Sequence, residues 1–264
     1  READALACAG VKEIVLVAQN TSAYGIDTAP DGKPKLAELL RELDCIAGIE
    51  ILRVLYLYPT LVSNQILETI AASRHIAHYI DVPLQHTEPA VLRAMGRPWS
   101  AGLAKRLVAR IRCIMPDASI RSTFMVGFPG ETEQCFRKLL DELEGLQLDH
   151  AGAFAYSREL MTPSYDFAQQ VQWPTKRRRL HEFMERQQQI SLSINRTRYL
   201  GKTVSIIIDD VDSPRLVGRT FLDAPDVDNT VRVSLGKTKR PVAGDICRVL
   251  VTACGPYDLD GVLV

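Results

Sequence analysis

Between residues 11 and 156, short apolar runs alternate with amphipathic helical patterns, and this alternation constrains the fold more than any other property of the chain. The runs at 11–18, 49–58, 76–82, 118–126 and 150–156 are near-continuous in apolar residues, as expected of strands buried on both faces. Between them, Leu36, Leu39, Leu40, Leu43 and Ile46 keep helical spacing, as do Phe136, Leu139, Leu140 and Leu143. Helical patterns also cover 63–73, with Ser63 as a candidate N-cap, and 100–114. Repeated strand–helix units imply parallel strands joined by right-handed crossovers. A barrel and an open sheet both satisfy that pattern. Five visible strands are too few for a closed eight-stranded barrel, and a sixth ahead of residue 1 would fit a partial one. A helical pattern over 1–9, closed by Gly10, is an unusual start for a domain, so the natural protein is expected to extend further toward its N-terminus.

Residues 174–200 read as one long charged helix, opened by Pro174 and stopped by Gly201. Its run Lys176, Arg177, Arg178, Arg179 reads as a solvated helix face. Beyond it, short β-rich pieces at 203–208, 216–220, 230–234, 245–252 and 261–264 are separated by Asp, Pro, Gly and Asn turns. The fold class is therefore α/β: a parallel strand–helix domain over 1–200 with a trailing long helix, a partial parallel (βα) barrel if a further strand precedes residue 1 and otherwise an open sheet, then a small antiparallel β-barrel over 201–264. The small barrel carries eight basic residues against nine aspartates, so it offers no electrostatic footprint for nucleic acid.

The whole chain is equally balanced, with 32 basic and 32 acidic residues among 264, and no global field draws it to nucleic acid or anionic membrane. No apolar run approaches the roughly 20 residues that span a bilayer, and no signal-peptide pattern opens the chain, so a cytoplasmic protein without membrane partners is expected. The six cysteines, at 8, 45, 113, 135, 247 and 254, are too scattered for a metal-ligand cluster, so no metal site is assigned. Cys45, Cys113 and Cys135 fall in helical patterns and are expected to pack as small apolar side chains.

In parallel α/β architectures ligands sit at the carboxyl ends of the strands. Those positions here hold Gln19 and Asn20, then Tyr56 and Tyr58, Asp81, Gln85 and His86, Arg121 and Thr123, and Tyr156 with Ser157. Amides, hydroxyls, a histidine and an arginine on one rim suit a ligand with amino, carboxylate and ribose groups. The fourth strand runs into Gly127, Phe128, Pro129 and Gly130, a loop that reads either as a close backbone approach to a ligand or as a tight strand-to-helix turn without one. No phosphate-binding P-loop, dinucleotide fingerprint or serine-nucleophile elbow is present.

Several strings together resemble the radical S-adenosylmethionine methylthiotransferases: Val17-Ala18-Gln19-Asn20-Thr21-Ser22-Ala23-Tyr24-Gly25, Tyr79-Ile80-Asp81-Val82-Pro83-Leu84-Gln85-His86, Met95-Gly96-Arg97-Pro98, the loop from Gly127 to Thr132, and Gly152-Ala153-Phe154-Ala155-Tyr156-Ser157. The small barrel resembles that family's TRAM domain. Within the family, the string from Gln19 to Gly25, that from Gly152 to Ser157, and Asp223-Ala224-Pro225-Asp226-Val227-Asp228 most resemble the branch that methylthiolates the β-carbon of an aspartate in small-subunit ribosomal protein S-twelve; the near-neutral barrel favours a protein substrate, with the tRNA-adenosine branch or a non-catalytic protein- or RNA-binding fragment as alternatives.

The resemblance implies S-adenosylmethionine as cofactor, reduced by one 4Fe–4S cluster to a hydrogen-abstracting radical, with a second 4Fe–4S cluster supplying sulfur and a reductant protein as a further partner. It places Gln19 and Asn20 at the methionyl amino group, Gln85, His86 and Arg121 near carboxylate or ribose, and Gly127, Pro129, Gly130 and Tyr156 along the adenine. It names no catalytic residue. The family's Cys-x-x-x-Cys-x-x-Cys loop has no counterpart, so this chain is expected to be an N-terminally truncated portion, inactive alone.

Overall fold

The computed structural model describes residues 1–97, 99–211, 215–234 and 241–264. Pro98 of the quoted motif and the charges at Lys237, Lys239 and Arg240 lie outside the described residues. A first helix, α1 (Glu2–Cys8), precedes five strands: β1 (Glu13–Leu16), β2 (Ile51–Val54), β3 (Tyr79–Asp81), β4 (Ser119–Val126) and β5 (His150–Ala155). Every pairing among them is parallel. β1 pairs with β2, and β3, β4 and β5 pair in that order, with a Leu52–Ile76 bridge joining the two groups.

Strand order therefore follows chain order. A doubly wound sheet needs a reversal of strand order, so this sequence of neighbours decides for the barrel wall over the open sheet. The intervening helices α2 (Leu36–Asp44), α3 (Asn64–Ala72), α5 (Leu103–Ile114) and α6 (Glu133–Leu146) cover one side of it. Ser63 caps α3 by accepting from the Ile66 N–H at 3.2 Å, as its position predicts. Thr132 caps α6 in the same way through Cys135. A six-residue helix, α4 (Pro89–Ala94), was not expected, because it is too short to show a periodic face.

Alternation along β4 shows how the two sides are used. Ile120, Ser122, Phe124 and Val126 are buried toward the helices, whereas Arg121, Thr123 and Met125 are partly open on the other side. β1 departs from expectation, since all four of its residues are only half-buried.

The helix α7 (Trp173–Tyr199) packs against β5, β4 and α6 and leads into β6 (Thr203–Asp210), β7 (Arg215–Thr220), β8 (Thr230–Ser234), β9 (Ile246–Cys254) and β10 (Asp258–Leu263). These five close into a barrel. Four of its pairings are antiparallel, and a parallel β10–β8 pairing closes the ring. Ile206, Ile208, Leu216, Val231, Val233, Val249, Val251 and Leu259 fill it.

The cysteine expectation fails at two positions. Cys45 is exposed because α2 ends one residue before it, and Cys113 is exposed because it lies off the Leu107–Ile111 face of α5. Both barrels meet at the inner side of the wall. Arg53, with a fully buried side chain, donates to Glu13 at 3.0 Å and to the Phe221 carbonyl at 3.1 Å. Arg219 of the small barrel pairs with the same glutamate.

Candidate functional site

A cavity of about 440 Å³ opens at the carboxyl ends of the parallel strands. Its volume lies within the range of small-molecule sites. Strand register builds it in rows. Asp81 pairs across to Arg121 and Arg121 to His150, while one step higher Thr123 sits beside Gly152. Gln85 extends the upper row, with its N–H donating to the Thr123 carbonyl at 2.8 Å.

Two residues at this rim, Tyr56 (φ 57) and Gln85 (φ 65), hold the left-handed conformation without being glycine. That conformation costs on the order of 1–3 kcal/mol and persists only where surrounding structure enforces it. Here the enforcement is visible: Tyr56 donates its N–H to Asp81 Oδ2 at 2.9 Å, and its carbonyl accepts from the Thr21 N–H. Both strained residues line the cavity, together with the exposed ring of Phe154.

The floor of the cavity is electrostatic and comes from the small barrel. Pro225 and Val227 line it. Asp228 accepts from Arg121 Nη1 at 2.8 Å, from the Tyr79 hydroxyl at 2.5 Å and from the Ala224 N–H at 2.9 Å. His150 lies between Asp223 (3.3 Å) and Asp228 (3.7 Å). Burial pushes the Asp81 carboxyl above its usual pKa, against the Tyr56 N–H and Arg121, which pull it down. Burial, then the Asp228 charge, raises Tyr79 well above the phenol value. The string 223–228 thus closes the bottom of the site, a role that its sequence alone did not reveal.

The loop after β4 is occupied from within. Gly127 has φ 73, and a Cβ there would stand 2.4 Å from Cγ of Lys176. Lys176 is buried, donates to the Tyr156 carbonyl at 2.9 Å and lies 4.7 Å from the centre of that ring. Arg179 is buried as well and pairs with Glu131 at 3.2 Å. Glu131 also accepts from the Gly127 N–H and faces His86 Nε2 at 3.5 Å.

The expectation of a solvated Lys176–Arg179 face is therefore corrected. Only Arg177 and Arg178 face solvent, because one helical turn carries Lys176 and Arg179 under the loop. Gly127→Ala is expected to destabilise the protein by about 2–3 kcal/mol, through positive φ and overpacking. Thermal melts check this. Adding Lys176→Ala, which removes the obstructing stem, should make the two effects non-additive in a double-mutant cycle.

The nine residues expected at the cofactor do not form one group. Gln19, Gln85 and Arg121 line the cavity. Asn20 stands beside it and accepts from Ser22, whose oxygen in turn accepts from the Tyr58 N–H at 2.7 Å. His86 is buried under the loop, its Nδ1 accepting from the Glu88 N–H at 2.9 Å. Tyr156 is buried too, edge-on to Phe128 at 5.0 Å. Gly127 packs on Lys176 as described. Pro129 and Gly130 line a separate outer groove with Val91, Phe167 and Gln169. Among the described residues no group of three or more His, Cys, Asp or Glu is placed to hold a metal ion.

A chain-ordered parallel wall with a polar cavity at its strand ends, floored by a closed five-stranded barrel, defines a class of (βα)-barrel proteins with a small C-terminal β-barrel module. Within it, the family model for the radical SAM superfamily matches residues 1–143 and that for the TRAM domain matches 200–264. The chain belongs to the radical SAM superfamily. It is 40% identical over 259 residues to ribosomal protein uS12 methylthiotransferase RimO of Desulforudis audaxviator, covering 98% of this chain and 56% of that protein. The RimO of Chloroflexus aurantiacus is 43% identical over 266 residues, covering 98% and 57%. A Synechococcus RimO is 41% identical over 268 residues, covering 100% and 56%. The chain thus spans somewhat more than half the length of these relatives.

Proposed function

We propose that this chain forms the S-adenosylmethionine-binding wall and small barrel of a methylthiotransferase that modifies the β-carbon of an aspartate in ribosomal protein uS12. The observation that carries the reading is the cavity at the strand ends, where an amide pair, two guanidinium groups and two enforced left-handed residues converge. Its donor set fits the cofactor's chemistry. Gln19 and Gln85 offer amides to amino, carboxylate or ribose groups, Thr123 offers a hydroxyl, and the exposed Phe154 and Tyr56 rings offer faces to an adenine. Bound S-adenosylmethionine supplies the methyl group and the radical chemistry for which its family is named.

The chain's own residues orient that ligand and limit water. Asp81 fixes Tyr56, Asp228 fixes Arg121, and the Glu131–Arg179 pair holds the neighbouring loop. Iron–sulfur clusters do not fit this chain's residues, because its six cysteines are free, scattered and not grouped for a cluster. The near-neutral small barrel supports a protein substrate over tRNA. Cytoplasmic location and a reductant protein follow from the same reading; among the described residues no helix is long and apolar enough to cross a membrane.

Two measurements test this. Calorimetry of the chain with S-adenosylmethionine should show binding that weakens by roughly three- to tenfold in Gln19→Ala and in Gln85→Asn, since asparagine keeps the left-handed backbone but shortens the reach. Mass spectrometry after reaction of the natural gene product containing this chain should find the methylthio group on an aspartate of uS12. Its appearance on a tRNA adenosine instead would refute the substrate assignment.

A further inference from the structure

Two guanidinium groups line the cavity, and they differ in what they already hold. Arg121 is engaged by Asp228 at 2.8 Å, with Asp81 at 3.9 Å on its other side. For Arg97, no carboxylate partner occurs among the described residues; its neighbours are the rings of Tyr58, at 5.7 Å, and Trp99, at 5.6 Å. Those rings brace each other edge-to-face at 5.9 Å.

Its backbone is equally well fixed. Helix α4 ends in a Schellman motif: Gly96 (φ 71) donates to the Arg93 carbonyl at 3.0 Å, and the Arg97 N–H donates to the Leu92 carbonyl at 2.8 Å. A short helix that shows no periodicity in sequence therefore serves to aim one arginine at the cavity.

Aromatic contact holds a guanidinium in place while leaving its N–H edge free, and that planar fork matches a carboxylate bidentately. We infer that Arg97 is the specificity-determining carboxylate receptor of this cavity. The inference rests on the function proposed above and deepens it. Two carboxylates fit the chemistry: the side chain of the target aspartate and the methionyl carboxylate of the cofactor. The assignment of Arg97 is to the carboxylate, and the experiment separates the sources.

The test uses the chain with a labelled uS12 peptide carrying the target aspartate, the same peptide with asparagine, S-adenosylmethionine, and 5′-methylthioadenosine, which lacks the carboxylate. In Arg97→Gln, affinity for the aspartate peptide should fall by about tenfold or more, to the level of the asparagine peptide, if the substrate is the source. A similar loss for S-adenosylmethionine, with 5′-methylthioadenosine unaffected, supports the same receptor with the cofactor as source. Arg97→Lys keeps the charge without the fork and should recover only part of the loss. It also carries the test if the glutamine variant does not fold. Wild-type affinity for every ligand in well-folded Arg97→Gln or Arg97→Lys overturns the inference alone. Wild-type protein that binds neither the peptide nor S-adenosylmethionine overturns the function reading, and the inference with it.

Discussion

Glu131→Ala is expected to destabilise the protein by about 3–4 kcal/mol, because removing one partner of a buried ion pair strands the other charge. The stranded group is Arg179, whose side chain is only 4% exposed. It keeps the Glu131 main-chain carbonyl at 3.0 Å and the half-exposed Glu133 at 3.3 Å, which places the cost toward the lower end of the range for buried pairs. The same change deprives the buried Gly127 N–H of its acceptor and leaves His86 facing a void. For a chain of this size the loss corresponds to roughly 10 °C in melting temperature. Glu131→Gln retains an acceptor for Gly127 and removes only the charge, so it should fall between alanine and wild type. Melting temperatures for Glu131→Ala within about 2 °C of wild type would show that the pair carries no such weight.

What the sequence made legible follows from the range of the interactions involved. Local patterns placed the strands and long helices, and even the cap at Ser63, because periodicity and N-cap chemistry act within one or two turns. The polar rim was legible for a related reason, since strand ends in a parallel wall are where ligands bind.

The site was only partly readable, because its contacts join residues far apart in the chain. Gly127 looks like a ligand glycine until Lys176 is found against it, and Lys176 looks like a surface lysine until the helix is docked. Likewise Arg121 was expected at the cofactor, and it does line the cavity, but its nearest carboxylate is Asp228 from the small barrel. Short α4 left no periodic trace, which kept the setting of Arg97 out of view.

The widest effect on the site is expected from Asp228→Ala. One carboxylate there serves Arg121, the Tyr79 hydroxyl and the Ala224 N–H, and lies 3.7 Å from His150. Alanine leaves all of these without that acceptor. Arg121 is partly open to the cavity and keeps Asp81 at 3.9 Å, so water relieves some of the penalty. The net cost is about 2–3 kcal/mol. Its signature is local: amides of 221–229 should exchange faster than those of the wall, and S-adenosylmethionine should bind more weakly as the cavity floor loosens. A uniform loss of protection without a change in affinity would place Asp228 in general stability and not in the site.

The pH response gives an independent check. Burial opposes charge on His150, but Asp228 and Asp223 outweigh it and hold the imidazole pKa above its usual value. A raised folded-state pKa contributes stability that is fully present below the unfolded value of about 6.5 and is lost as pH rises through the folded value. Wild-type stability should therefore decline from this group as pH rises from about 6.5 through the raised folded-state value, and not beyond it. Asp228→Asn, which keeps the shape and removes the charge, should flatten the decline. An unchanged pH slope in Asp228→Asn would mean that Asp228 does not set the protonation of His150.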